Sequence, residues 1–408
     1  MTPVADPAEV EAIAAAIAGA PLATFDLEFL SQDRLVPTLC LVQVSWLPQH
    51  ADLDAPAATI VALPVEIALL DPLAVDVGPV IRALASHPAV VAHAPRQDLA
   101  LLATRFDVAM PSVADTQIMA AFAGIGDQVG LAALGNELLG LSLGKELQWT
   151  DWGQRPLSGA QLAYAADDVR HLPAIFAILR ERLGERMPWA LAESTLVAAD
   201  AVAATQVTPE TAWRQLGSLR GLDASALAAV IELAAWRHRV AVAMDRPLGQ
   251  VLNEKALLEI ARTRATTAVA IRGVKGVSPI AKQHADDIVT ALAGARPGDV
   301  PPMVAGRAPS QRAQRWSEIL LALVQLVAER TGVASRLLAT RSDAEEFART
   351  VDERGLAAAS SLPALATWRR DVLGHLWVAW LSGTLALVGD PTAPSGLGTL
   401  STSSTLPR

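Results

Sequence analysis

The chain has 408 residues, room for roughly two to four domains at ~100–200 residues each, and its 52% apolar content excludes a disordered chain. A single cysteine, Cys40, excludes an internal disulfide and a cysteine-ligated zinc, and is expected to be a small buried hydrophobe. The net charge of −9 argues against a nucleic-acid binder until it is divided: residues 1–200 carry 24 acidic against 10 basic side chains, and residues 201–408 carry 18 against 23. An acidic half can hold metal-binding carboxylates, and a basic half can meet phosphates.

Residues 1–20 contain Asp6, Glu9 and Glu11 and no Lys or Arg, so no secretory signal is expected. Residues 22–30 and 39–47 are apolar runs with β-branched and aromatic residues, which predict two strands of a hairpin. A third strand is expected at Ile67–Leu70, a helix at 77–87, a strand at Ala89–Ala92 and a helix at Gln97–Arg105. Helices are expected at 114–123 and 128–139, and one long helix at 158–183. This order predicts an α/β domain that ends near residue 195.

Beyond it no strand is evident. Helices are predicted over 209–220, 223–242, 254–264 and 280–293, and again over 312–331, 342–354 and 362–387. Residues 295–311 are rich in Pro and Gly and read as a linker. The Ser-, Thr- and Pro-rich tail 391–408 is expected to be disordered. The stretch between Asp371 and Asp390 lacks charged residues, but its glycines and polar residues favour a buried helix over a membrane span. A faint repeat relates 251–263 to 337–350.

Asp26 and Glu28 lie two apart on a predicted strand, so their side chains share one face. Asp98 begins a helix. Tyr164 and Asp168 lie four apart on a helix, one turn above each other. Asp167 would point about 100° away from Asp168. Oxygen ligands suit magnesium or manganese, and paired ions of this kind cleave phosphodiesters, with a phenol available to orient the water. A single carboxylate is usually just solvated, but Asp26 and Glu28 interrupt an apolar run where an unpaired charge is costly. Tyr164 is the sole tyrosine, and its spacing to Asp168 sets it apart from a core aromatic.

Three segments in order, FDLEFLSQDRLVPTLCLVQ with Pro37, Leu39 and Gln43, VVAHAPRQDLALL with His93, Gln97 and Asp98, and QLAYAADDVRHL, carry a resemblance to the ribonuclease D family of exonucleases, which use four acids and a tyrosine. The stretch KELQWTDWGQRPL at 145–157 adds to it. The resemblance spans residues 20–190 and implies a ribonuclease-H-like exonuclease domain with a mixed sheet flanked by helices. It implies that Asp26, Glu28, Asp98 and Asp168 hold two Mg2+ or Mn2+ ions and that Tyr164 positions water. Leu27 stands where the family usually has Thr, and should face away from the ions. His93 is expected to be structural, and Trp149, Trp152 and Arg155 to be packing residues with RNA contact as the alternative.

Residues 209–291, through 234–261 and 271–289, resemble the HRDC module shared by helicases and ribonuclease D. This implies all-α HRDC-type domains after the exonuclease domain, with Arg237, Arg239, Arg246, Arg272 and Lys275 as candidate RNA contacts. The expected organisation is an exonuclease domain at 1–200, HRDC at 208–294, a linker at 295–311, a second HRDC-like domain at 312–390 and the tail. The implied activity is 3′→5′ hydrolysis of RNA, releasing nucleoside 5′-monophosphates, in the trimming of tRNA precursors and other RNAs with 3′ tails. A cytoplasmic location is expected, with neither a membrane nor an obligate protein partner. A DNA exonuclease and a non-catalytic nucleic-acid binder are the alternatives.

Overall fold

In the computed structural model, residues 2–31, 33–142, 144, 150–217, 219, 221–301 and 309–401 are described. Helix α1 (Pro7–Gly19) starts on an Asp6 cap, whose carboxylate accepts from Ala8 N–H. The hairpin β1 (Ala23–Leu30) and β2 (Thr38–Trp46) follows as expected, antiparallel, with Asp26 opposite Gln43. Glu28 stands opposite Leu41, but Phe29 stands opposite Leu39. Cys40 is thus the extra residue of a bulge, and it is buried.

After α2 (Ala57–Val61), β3 (Glu66–Leu70) pairs antiparallel with β2. Helix α3 (Gly78–Ser86), β4 (Val90–Ala92), α4 (Arg96–Phe106) and β5 (Val113–Asp115) follow. The sheet runs β3-β2-β1-β4-β5, with β4 parallel to both β1 and β5. One face is buried by α1, α3 and α4 over Phe25, Leu27, Val42 and Val44. Leu27 therefore does face away from the acids.

The other face takes α5 (Thr116–Phe122), α6 (Leu131–Leu139), α7 (Gly159–Arg170) and α8 (Leu172–Leu183). The single helix expected at 158–183 is two. The break falls at His171, just before Pro173, which is preorganised for a new first turn. Ser158 and Gln161 form a capping box at the start of α7. Thr24 and Ser45 bond each other at 2.7 Å, and Ser45 donates to Val169 C=O at 2.9 Å, so α7 lies over this face of the hairpin.

Arg155 fixes the entry to α7. Its guanidinium donates to both Asp71 oxygens at 2.6 and 2.7 Å, to Cys40 C=O at 2.6 Å and to Trp152 C=O at 2.8 Å. Burial opposes ionisation of Asp71, but the bonds from Arg155 outweigh it and hold the carboxyl below its ordinary range. Trp152 is 2% exposed. Both residues are packing residues, while Trp149 and the rest of 145–149 lie outside the described residues.

Helix α9 (Met187–Ala203) packs on α4 and β5 and extends the domain past residue 195. A 3₁₀ turn at Ala212–Gln215 stands where a helix over 209–220 was expected. Then come α10 (Ala224–Met244), α11 (Leu248–Val251), α12 (Glu254–Thr263), α13 (Ala268–Gly273), α14 (Pro279–Gln283) and α15 (Ala285–Ala293), around a core of their own. The helix expected at 280–293 breaks at His284.

The last unit holds α16 (Gln311–Thr331), α17 (Ser335–Leu338), α18 (Arg341–Arg354), α19 (Thr367–Arg369) and α20 (His375–Leu381). In place of one helix over 362–387 there is a 3₁₀ turn, a π turn at Arg370–Gly374 and then β6 (Leu385–Gly389). The tail is not disordered throughout. Asp390 bonds Thr392 N–H, Gly396 takes φ +71°, and β7 (Leu397–Ser401) returns to pair with β6. Leu385, Leu387 and Leu397 supply the apolar surface that a Ser/Thr count hides. Residues 402–408, like 302–308 of the expected linker, lie outside the described residues. No helix among the described residues is long and apolar enough to cross a membrane.

The two helical units attach differently. The last unit shares one core with the sheet domain: Met119, Phe122 and Ile175 join Leu320, Phe347 and Trp377. Glu193 accepts from Arg369 at 2.7 Å and from Trp368 Nε1 at 3.1 Å. Arg186 bridges Phe122 C=O and Thr331 C=O. The middle unit is held by a polar clasp to the β1–β2 turn. Asp245 accepts from Leu35 N–H at 3.1 Å and pairs with Arg34 at 3.7 Å, while Arg246 reaches Asp33 at 3.9 Å.

Removing the cation of a half-buried pair strands its buried partner. Arg155→Met should cost about 1–3 kcal/mol in urea unfolding, and adding Asp71→Leu should return much of that loss. An Arg155→Met protein as stable as the parent would show that the pair does not fix the α7 entry.

Candidate active site

The bulge follows Glu28 directly, at the point where β1 ends against β2. Within the strand, the alternation that sends Phe25 and Leu27 into the core turns Asp26 and Glu28 to the α7 side. Helix α7 brings Asp168 to them. Carboxylate oxygens of Asp26, Glu28 and Asp168 lie within 4.8 Å of one another. Asp167 points elsewhere and pairs with Arg170 at 3.0 Å.

Asp98 is placed by a strained turn. Ala94 sits at φ +51°, a left-handed conformation that costs a residue with a Cβ about 1–2 kcal/mol. Its N–H is held at 2.8 Å by Asp115, which also caps α5 through Gln117 N–H at 2.8 Å. The turn delivers Asp98 into the first turn of α4, where it is 8% exposed. Asp98 is not part of the three-carboxylate cluster, but the Asp26 charge acts on it and its own charge acts on Glu28. Asp115 was not anticipated from the sequence. An Asp-Thr pair ahead of an apolar helix is an N-cap signal that could have found it.

Burial lifts all of these acids first, and repulsion from neighbouring acids adds to it for Glu28 and Asp168, while a hydrogen bond from the Leu27 backbone holds Asp26 back. Asp26 is raised to about 7, Asp168 to about 8 and Glu28 to about 9. Asp98 is raised well above its ordinary value, by burial and then by Asp26 and Asp115. Among the described residues, no Arg or Lys ion pair neutralises any of the four. An oxygen-only donor set with excess negative charge fits a hard divalent cation such as Mg2+ or Mn2+.

Tyr164 lies one turn before Asp168 and is hydrogen-bonded to it. Burial, then Asp168, Glu28 and Asp26, push its phenol far up, so it stays a neutral hydroxyl at physiological pH. Its ring packs 6.1 Å from that of Trp152. His93 bonds Thr116 at 2.8 Å, and burial lowers its pKa to about 4. That neutral, anchored imidazole agrees with the structural role expected of it.

Between the sheet domain and α10 lies a cleft of about 610 Å³, walled by Phe29, Pro37, Gln97, Thr104, His238 and Val242. None of the four acids lines this cleft, and Phe29 packs with Phe25 and Leu27 on the opposite face of β1 from Glu28. The candidate basic contacts do not converge on it as a set. Arg237 is corrected: it is 6% exposed within α10 and donates to Leu252 C=O, so it is a core residue. Arg246 is engaged by Asp33. Arg272 donates to Lys282 C=O and reaches Asp286 at 3.4 Å. Arg239 and Lys275 are exposed.

A sheet ordered 3-2-1-4-5, acids from one strand and two helices, and a tyrosine one turn from the last acid define a 3′–5′ exonuclease domain. A family model described as 3′-5′ exonuclease matches residues 1–184, and one described as HRDC domain matches residues 226–292. Ribonuclease D of Acidiphilium cryptum is 32% identical over 91% of this chain and 90% of the relative. Ribonuclease D of Jannaschia sp. is 33% identical over 93% of this chain and 95% of its own. The crystal structure of Escherichia coli ribonuclease D superposes with a TM-score of 0.75 at 24% identity, over 94% of this chain and 99% of that one. The chain belongs to the ribonuclease D family. It is a metal-dependent 3′→5′ exoribonuclease.

Raised carboxyls make a testable sign. The folded protein holds protons that the unfolded chain, with values of 3.8 for Asp and 4.5 for Glu, has released. The stability they contribute is fully present below about pH 4 and is lost as pH rises through folded values of about 7 to 9. With chelator present, thermal stability should fall from pH 6 to pH 9, less steeply in Asp26→Asn, and Mg2+ should restore it in the parent. A chelated parent whose pH profile matches that of Asp26→Asn would contradict the shifts.

Proposed function

We propose that this enzyme trims the 3′ ends of structured RNAs, tRNA precursors foremost, by hydrolysis assisted by two divalent ions, releasing nucleoside 5′-monophosphates. The observation that carries the reading is the trio Asp26, Glu28 and Asp168, gathered within 4.8 Å with no Arg or Lys ion pair to them among the described residues. Asp26, Glu28, Asp98 and Asp168 are the ligands, and Mg2+ or Mn2+ fits their chemistry. When bound, such ions supply Lewis acidity and a water activated at neutral pH.

The chain's own residues do the rest. Asp26 and Glu28 define one side of the ion site from a rigid strand, and Asp168 closes it from α7. Tyr164, held protonated, orients the attacking water through its hydroxyl and does not serve as a phenolate base. The cleft walls at Phe29, Pro37 and Val242 receive unstacked bases of the 3′ end, which favours a single-stranded tail over a duplex. Arg239, Arg272 and Lys275 lie on the middle helical unit where the body of a structured RNA would offer phosphates.

In this reading residues 1–200 form the exonuclease domain, 208–294 an HRDC domain and 312–390 a second, divergent HRDC-like domain that docks on the first. The cytoplasm, where tRNA precursors are made, is the proposed location.

A 5′-labelled, 3′-tailed RNA should shrink stepwise from its 3′ end with Mg2+ or Mn2+ and stay whole with chelator. Asp26→Asn should slow the reaction on the order of 10³-fold, equivalent to a few kcal/mol of transition-state stabilisation, and Tyr164→Phe by about 10²-fold. The matching DNA should be cut more slowly at the same salt. Full activity in chelator would end the metal reading, and faster DNA cleavage would move the substrate class.

A further inference from the structure

Gln43 lies at the centre of β2 with no exposed surface, and neither its amide N nor its amide O has a hydrogen-bond partner. A buried amide left in that state is costly, and a leucine of similar size would serve packing better. Its position is informative. On the α7 side of the hairpin, Thr24 pairs with Ser45, Asp26 with Gln43 and Glu28 with Leu41. The first of these pairs is polar and satisfied, through the Thr24–Ser45 bond and the Ser45 bond to Val169 C=O. The third pair couples an acid to an apolar residue clustered with Ala165. The middle pair sets an orphaned amide beside Asp26, under the stretch of α7 that carries Asp168. Side chains directly opposite on neighbouring strands have Cβ atoms about 5 Å apart, within reach of a Gln amide and an Asp carboxylate.

We infer that Gln43 is a positioning residue for the metal-binding carboxylates: its amide N–H donates to the Asp26 oxygen that does not face the cation, and so fixes the orientation of that carboxylate. The inference rests on the assignment of Asp26 as a ligand. The amide suits the task because it is a donor without charge. A Lys or Arg at this place would neutralise the site and compete with the cation, whereas an amide holds a carboxylate still and leaves its charge for the metal. The same hydrogen bond satisfies the donor that β2 otherwise buries unpaired. Partners of this kind, which orient a ligand without touching the ion, typically change metal affinity or activity about 10–100-fold when removed.

The test uses the full chain without RNA. Mn2+ binding is measured by calorimetry for the parent, Gln43→Leu, Gln43→Met and Asp26→Asn, with melting temperatures recorded in chelator. Gln43→Met keeps an unbranched side chain in case the branched one fails to fold. The expected result is Mn2+ affinity about tenfold weaker or worse in both Gln43 variants, with melting in chelator unchanged or raised. In cleavage assays the Mg2+ needed for half-activation should rise while KM for RNA stays near the parent value. Unaltered Mn2+ affinity in a folded Gln43 variant, with Asp26→Asn deficient, overturns the role of Gln43 alone. Parent-like binding in Asp26→Asn removes the ligand assignment and this inference with it.

Discussion

Like charges that must share a small volume set the terms for the rest of this molecule. Three carboxylates are brought to one place with a fourth near enough to act on them, where burial opposes the ionisation of each and repulsion adds to it for Glu28, Asp98 and Asp168. Among the described residues no Arg or Lys ion pair neutralises them, so the fold has to hold them against their own field until a cation arrives. Such a site needs a rigid frame more than it needs affinity, since a floppy one would let the acids drift apart and find water.

The frame is visible in three devices, each at the root of one acid. The Cys40 bulge twists the hairpin beside Glu28. The left-handed Ala94, pinned by Asp115, aims Asp98. The Arg155–Asp71 pair ties the start of α7 to the sheet, and with it Tyr164 and Asp168. None of these residues touches the proposed reaction, and each lies on a different segment of chain. The site is thus supported from several directions, while the middle helical unit is attached through exposed polar contacts, which individually contribute little.

Much of this was legible from residue order. The strands read at 22–30 and 39–47 announce themselves as apolar runs rich in β-branched and aromatic residues, and Asp26 and Glu28 stand out by interrupting the first. The Tyr164–Asp168 spacing placed both on one helical face before any coordinate did. What was hidden was of two kinds. Local breaks were missed where one residue outweighed a periodic pattern, as Pro173 did at His171 and as the turn at Asp390–Gly396 did for the tail. Partnerships across long separations were also missed. RNA contact stands as an alternative for Arg155 in the sequence because its partner lies 84 residues away, and Arg237 reads as an RNA contact because a helical pattern does not show which basic residue faces inward. Charge type can be read from sequence, but which side of a helix meets the core depends on what packs there.

The shared core has a consequence for how the chain is made. Met119, Phe122 and Ile175 are completed by Leu320, Phe347 and Trp377, so a ribosome must deliver some two hundred further residues before the first domain's apolar face is covered. At roughly 5–20 residues per second, that face waits on the order of ten seconds or more, while the middle unit, with a core of its own, can close as soon as it emerges. Synthesis therefore runs out of step with assembly: the segment born second is the first able to finish. The nascent nuclease spends that interval with an uncovered apolar face, which closes only when the segment carrying Trp377 has emerged.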